Sequence, residues 1–343
     1  MSGLPRNEIL VGDARSRLTK LPAASVDCII TSPPFFRLRD YQTEGQLGLE
    51  DSVAEWVEGL RSVLLEVMRV LKPTGSVWLN LGDSYSRHDR FGAPSKSLLL
   101  GPERLALALI SDGWTIRNKL VWAKTNNMPS SVGDRLTCKW EVFYFLVRSR
   151  HYFFDLDAIR RPLRSTTRAV RGTAEPIAGP KPDWAGPLAG NNSGLARMKR
   201  QGRTGHPLGG NPGDVITTAA ASFHGPHFAT FPEPLIEQPL LAGCPERVCH
   251  RCGAPWSRDL VDRSTRRPTL GQLRPSCRCR AGWQPGLVLD PFMGAGTVGL
   301  VAERHHRDWL GIELNSDFAA LARQRIDHER QVRNLQKERH RAA

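Results

Sequence analysis

Leu287-Val288-Leu289-Asp290-Pro291-Phe292-Met293-Gly294-Ala295-Gly296-Thr297-Val298-Gly299-Leu300 decides how the rest of the chain is read. Its apolar run, 287–289, predicts a buried parallel strand, because strands covered on both faces are almost continuously apolar. The run ends in Asp290 and a turn with two glycines, and a helix is predicted from Thr297 onward. Glycines in such a turn let a ligand approach the backbone closely. A second strand, Trp309-Leu310-Gly311-Ile312, ends in Glu313, twenty-three positions after Asp290. An acid at the tip of the second strand suits ribose hydroxyls. The glycine spacing is not G-x-G-x-x-G, and an ordinary β-turn-α unit is the plain alternative.

The whole chain sets bounds on that reading. Its 343 residues suffice for one large α/β domain with an appendage and a sizeable core. Lys and Arg number 48 against 34 acids, a net charge of +14 that favours a polyanionic partner through counterion release. A solvated basic surface without a partner is the bland reading of the same charge. No apolar run is long enough for a membrane span, and no signal-peptide pattern opens the sequence, so a soluble, cytoplasmic protein is expected. Seven cysteines in that setting point to metal or buried thiols rather than disulfides.

The N-terminal half supplies a second candidate site. Ile9-Leu10-Val11-Gly12-Asp13 reads as a strand ending in an acid, and Val26-Asp27-Cys28-Ile29-Ile30 as a buried strand running into Thr31-Ser32-Pro33-Pro34-Phe35. Two prolines stop the strand and stiffen the turn, leaving a carbonyl free to face a ligand. The chemistry that wants these parts is methylation of an exocyclic amino group, whose nitrogen is a poor nucleophile. Acceptors on Ser32 and on the Ser32 or Pro33 carbonyl would hold its N–H groups. Phe35 would stack on a base flipped out of the duplex. The methyl group would pass by direct displacement, aided by proximity and orientation.

Ser-Pro-Pro-Phe and Asp-Pro-Phe-x-Gly-x-Gly-Thr, in this order, resemble the catalytic and AdoMet motifs of the β-group DNA amino-methyltransferases, a phage and bacterial family. The resemblance implies an α/β methyltransferase fold with a mainly parallel seven-stranded sheet. It implies AdoMet as cofactor, held by Asp13, Phe231, Asp290, Phe292, Gly294, Gly296, Thr297 and Glu313. It assigns catalysis to Ser32, Pro33, Pro34 and Phe35. Thr-Ser-Pro-Pro is the form typical of cytosine-N4 enzymes, with adenine-N6 methylation the alternative. DNA is the implied partner, a cognate restriction endonuclease a further one. Trp122-Ala123-Lys124-Thr125-Asn126 with Pro129-Ser130-Ser131 resembles the family segment beside the target base. His227-Phe228-Ala229-Thr230-Phe231 resembles the segment that closes the cofactor pocket, although proline commonly follows that histidine.

Between these landmarks the texture changes. Residues 160–225 are rich in Gly, Pro, Asn and Arg, without a sustained period, and loops with partial disorder are expected there. In the family this is the variable target-recognition region. Residues 244–280 hold Cys249-His250-Arg251-Cys252-Gly253 and Cys277-Arg278-Cys279. Two close thiol pairs fit tetrahedral structural zinc on Cys249, Cys252, Cys277 and Cys279, with Cys244 and His250 as spare ligands. The surrounding arginines suit phosphate contacts. Reduced surface cysteines and a redox Cys-x-x-Cys are the other readings.

The expected organisation is a catalytic half (1–159), the recognition region (160–225) and a cofactor-pocket segment (226–243). A zinc insert (244–280), an AdoMet-binding half (281–328) and a basic tail (329–343) follow. The expected activity is site-specific cytosine-N4 methylation of DNA from AdoMet. Rival readings are a non-catalytic zinc-containing DNA-binding protein and an RNA methyltransferase.

Overall fold

The computed structural model describes residues 4–126, 130–162, 206, 208–220, 231–259 and 269–342. Its backbone order begins β1 (Glu8–Val11), α1 (Ala14–Leu18), β2 (Val26–Thr31), α2 (Val53–Val70), β3 (Leu71–Leu81), α3 (Gly101–Ser111), β4 (Thr115–Lys124) and β5 (Trp140–Val147). It continues with β6 (Val215–Thr218), α4 (Glu233–Gly243), β7 (Val248–Cys249), β8 (Trp256–Arg258), β9 (Leu273–Pro275) and β10 (Trp283–Gln284). The last elements are β11 (Leu287–Asp290), α5 (Thr297–Arg304), β12 (Asp308–Glu313) and α6 (Ser316–Ala342).

Every residue of β2 and β11 is buried, as their apolar sequences require. They lie side by side in an eight-stranded sheet of order β1-β12-β11-β2-β3-β5-β4-β6. Only β5 runs against the others, pairing antiparallel with both β3 and β4. The sheet is therefore mainly parallel as expected, but with eight strands, not seven. The extra strand is β6, inside the stretch read as loop. Its four residues Val-Ile-Thr-Thr pair parallel with β4 from Val121↔Val215 to Lys124↔Thr218. Four residues are too short for a period to register in a loop-like composition.

Helix α2 shows why the first half folds locally. Ser52 caps it by accepting the Glu55 N–H at 3.3 Å, and the Glu55 carboxylate reaches back to the Asp51 N–H at 3.2 Å, close to a capping box. Its face of Val53, Trp56, Leu60, Val63, Leu64, Val67 and Val70 is buried against the sheet residues Val77, Leu79 and Leu81. Lys72-Pro73-Thr74-Gly75, which reads as a turn, is instead the opening of β3. Lys72 donates to the buried Asp27 carboxylate at 2.6 Å, and the Thr74 carbonyl accepts from Phe153. Asp27 also accepts the Leu287 N–H at 2.9 Å, so one carboxylate joins the amino ends of β2, β3 and β11. The aromatic run 152–154 and Asp155 that follows it form no strand. The prolines of 232–239 suggest a connector, yet α4 forms because Leu235, Ile236 and Leu240 are fully buried.

The chain divides into two units, Met1–Asp155 with Gly213–Ser257 and Leu273–Ala343, and Leu156–Pro212 with Arg258–Gln272. The first carries the sheet. In the second, Arg160 pairs with Asp157 at 2.6 Å, and Arg161 and Gly210 form an antiparallel bridge.

Candidate active site and cysteine cluster

The parallel strands all present their carboxy ends at one edge, where ligands bind in open α/β sheets. An open cavity of about 880 Å³ lies there. Its wall combines Ser32 and Pro34 after β2, Asp13 after β1, Phe292 and Gly294 after β11, Thr297 on α5 and Glu313 at the tip of β12. Phe231 lines it too. The two halves of the site, distant in sequence, thus share one cavity.

Four expected site residues do not line it. Pro33 is buried in the turn. Phe35 lays its ring on Gly82, where an added Cβ would sit 2.7 Å from the ring, a contact only glycine permits. Gly296, at φ +80°, packs on Ala322. Asp290 is buried beneath the cavity and accepts the Thr31 hydroxyl at 2.7 Å and the Phe292 N–H at 3.0 Å. Burial pushes its carboxyl up to about 7, against the pull of those two hydrogen bonds.

Glu313 is held in the wall. Its carboxylate accepts the Gly294 N–H at 2.7 Å and the Asn315 N–H at 2.9 Å, which fixes the glycine turn against the second strand tip. Burial raises its carboxyl above the usual range. Asp13 caps α1 by accepting the Ser16 N–H. Ser32 donates to Asn80 Oδ1 at 3.0 Å, and the Asn80 amide donates to the Val142 carbonyl, so the serine is oriented from the floor of the sheet. The Trp56 indole donates to the Pro34 carbonyl at 2.9 Å and pins the proline turn.

Other residues were not legible as site members. Tyr41, Thr43, Gln46 and Leu47 line the cavity from a loop, and Asn315 and Phe318 from the start of α6. Asn315 before Ser-Asp is a cap signal, and it does accept from Asp317 and Phe318 while donating to Thr43. Asp83, just after β3, accepts the Leu100 and Gly101 N–H groups at the start of α3. Trp122 holds the end of β6 through the Thr218 carbonyl, and Asn126 holds Ala220, two residues beyond it. Lys124 pairs with Glu141 and lies 4.7 Å over the Trp122 ring. Pro129, His227, Phe228 and residues 163–205 of the expected recognition region lie outside the described residues.

The ligand atoms of Cys249, Cys252, Cys277 and Cys279 all lie within 4.8 Å of one another. Tetrahedral zinc with bonds of about 2.3 Å places its sulfurs roughly 3.8 Å apart, so the donor set fits the ion. Hydrogen bonds from the Cys252 and Arg251 N–H groups draw the Cys249 thiol down to about 6, and those with Cys252 and Cys277 push Cys279 up to about 12. Four thiol sulfurs this close could serve together as ligands of one metal ion. Cys244 is not in the group and is buried. Cys249 pairs with Trp283, just ahead of β11, so the cluster stands at the amino end of β11 and the cavity at its carboxy end.

Sheet, glycine turn and acid-tipped strands define a mainly parallel α/β protein with a cavity at the carboxy ends of its strands. A family model described as DNA methylase, of the N6/N4 type, matches residues 26–324. Type II methyltransferase M.SmaI of Serratia marcescens is 31% identical over 346 residues, covering 95% of this chain and 92% of the relative. M.Cfr9I of Citrobacter freundii is 32% identical over 340 residues, 93% and 87% of the two chains. Among solved structures, the cytosine-N4-specific PvuII DNA methyltransferase superposes with a TM-score of 0.56 at 18% identity, over 93% of this chain and 86% of that one. A protein of Thermus thermophilus described as a putative DNA modification methylase, complexed with S-adenosyl-L-methionine, gives 0.51 at 21%, over 94% and 95%. The chain belongs to the N6/N4 DNA methylase family and is a DNA amino-methyltransferase.

Proposed function

We propose that the protein methylates the exocyclic N4 of cytosine in DNA, with AdoMet as methyl donor. The observation that carries the reading is that Ser32 and Pro34 share one cavity with Glu313, Gly294 and Phe231. The cavity suits a nucleoside cofactor: Glu313 and Asp13 offer carboxylates, Phe231, Phe292 and Phe318 flat apolar faces, and Gly294 and Thr297 a close backbone. Asp290 and Gly296 act here from behind, by shaping the turn. The S-adenosyl-L-methionine complex of the Thermus protein supports the same occupant. When bound, AdoMet supplies an activated methyl group on its sulfonium. The Ser32 hydroxyl, turned by Asn80, and the Ser32 or Pro33 carbonyl would hold the two N–H groups of the base. That frees the nitrogen lone pair from the ring and aims it for displacement. Phe35, backed by Gly82, would stack on the flipped base.

Thr31-Ser32-Pro33-Pro34-Phe35 and the likeness to the PvuII enzyme support cytosine over adenine. The test is mass spectrometry of nucleosides from unmethylated DNA incubated with protein and AdoMet. N4-methylcytosine is expected, and N6-methyladenine would overturn the base assignment alone. Ser32→Ala is expected to lose at least about 100-fold in rate with AdoMet affinity retained, read by equilibrium binding and single turnover.

Zinc at the four cysteines is part of the same proposal, as a structural ion at the sheet's far end rather than a reactant. Elemental analysis is expected to find one zinc per chain and to lose it in Cys279→Ser. The Type II names of the relatives support a place in a cytoplasmic restriction–modification pair.

A further inference from the structure

Leu136 is 90% exposed, more than any other large apolar side chain among the described residues. It stands on the segment that joins β4 to β5. Lys124 N–H bonds the Lys139 carbonyl, and Leu81 pairs with Val142, so this segment rises at the same edge of the sheet as the Ser32 turn. A short relay of contacts connects the two. The Phe36 carbonyl, next to Phe35, accepts from Ser84 Oγ at 2.7 Å. Tyr85 bridges to Leu98, its hydroxyl lies 3.5 Å from Cys138 Sγ, and the Arg135 guanidinium stacks 3.7 Å over its ring. Lys96 pairs with Asp134 at 2.9 Å. The leucine is thus presented on a base tied down on both sides, between cationic Arg135 and exposed Lys139.

We propose that Leu136 is the wedge that enters the base stack as the target nucleotide leaves it, with Arg135 and Lys139 beside the flanking phosphates. The inference rests on the DNA-methylating reading above, which requires a base to leave the duplex. A flipped base leaves a gap between its neighbours, and an apolar side chain filling it offsets the lost stacking. An unburied leucine gains nothing in the free protein, and its cationic neighbours suit DNA better than an apolar protein face.

The test compares native protein, Leu136→Ala and Leu136→Met on a duplex the native protein methylates. The target base is presented either in its normal pair or opposite an abasic site, where it is already unpaired. Leu136→Ala is expected to slow single-turnover methylation about tenfold on the paired duplex and less than about twofold opposite the abasic site. Leu136→Met is expected to retain the rate, with thermal melting unchanged in both variants. Equal loss on both substrates, or no loss on either, would overturn the wedge. If native protein methylated no DNA at all, the activity reading would fall and the wedge with it.

Discussion

Asp290 stands at the tip of its strand but turns its carboxyl inward, onto Thr31 and the Phe292 N–H. One buried side chain thereby ties the residue before Ser32 to the turn before Gly294. With its carboxyl at about 7 in the folded protein against an ordinary 3.8, the folded state keeps a proton that the unfolded chain releases. Its contribution to stability is fully present below about pH 4 and is lost as pH rises through about 7, at roughly 1.4 kcal/mol for each pH unit between the two. Asp290→Asn keeps the acceptor and removes the titration. The melting temperature of native protein minus that of the variant is expected to fall between pH 4 and 7 without cofactor. A difference that is flat or rises with pH would contradict the buried, proton-holding carboxyl.

Among the elements, the glycine turn before α5 depends on one backbone conformation. Gly296 adopts φ +80°, and an added Cβ would lie 2.8 Å from Ala322 Cβ on α6. Gly296→Ala combines strain with overlap and is expected to cost about 1–3 kcal/mol. A lower urea midpoint at unchanged slope would register it. An unchanged midpoint would mean that α6 yields easily. Strands with long apolar runs were legible, because burial on both faces writes itself into composition. β6 and α4 were not. β6 is an edge strand whose pairing comes from β4, and α4 is a proline-bearing helix held by burial of three aliphatic side chains. Tertiary packing overrides propensity in both.

At the scale of the molecule, the +14 charge and the position of the cavity set how DNA is met. Neutralising six or more phosphates costs on the order of a thousandfold in affinity between 50 and 200 mM salt. DNA binding is expected to fall that steeply, while binding of AdoMet, which does not rely on phosphate contacts, changes little. Comparable salt slopes for the two ligands would show that the charge is not directed at DNA. The cysteine cluster lies at the opposite end of β11 from that cavity.

By itself the sequence determined the family, the mainly parallel sheet and both motif loops, because Ser-Pro-Pro-Phe and Asp-Pro-Phe-x-Gly-x-Gly-Thr encode local turns whose backbone needs particular residues. It also placed four cysteines at zinc spacing. Only the tertiary structure decided which motif residues face the cavity. Asp290 and Gly296 lie behind it, while Tyr41, Asn315 and Phe318 lie within it. A motif specifies the path of the chain through a turn. Whether a side chain meets ligand or protein depends on what packs from distant segments, as Ala322 does on Gly296 and Thr31 on Asp290.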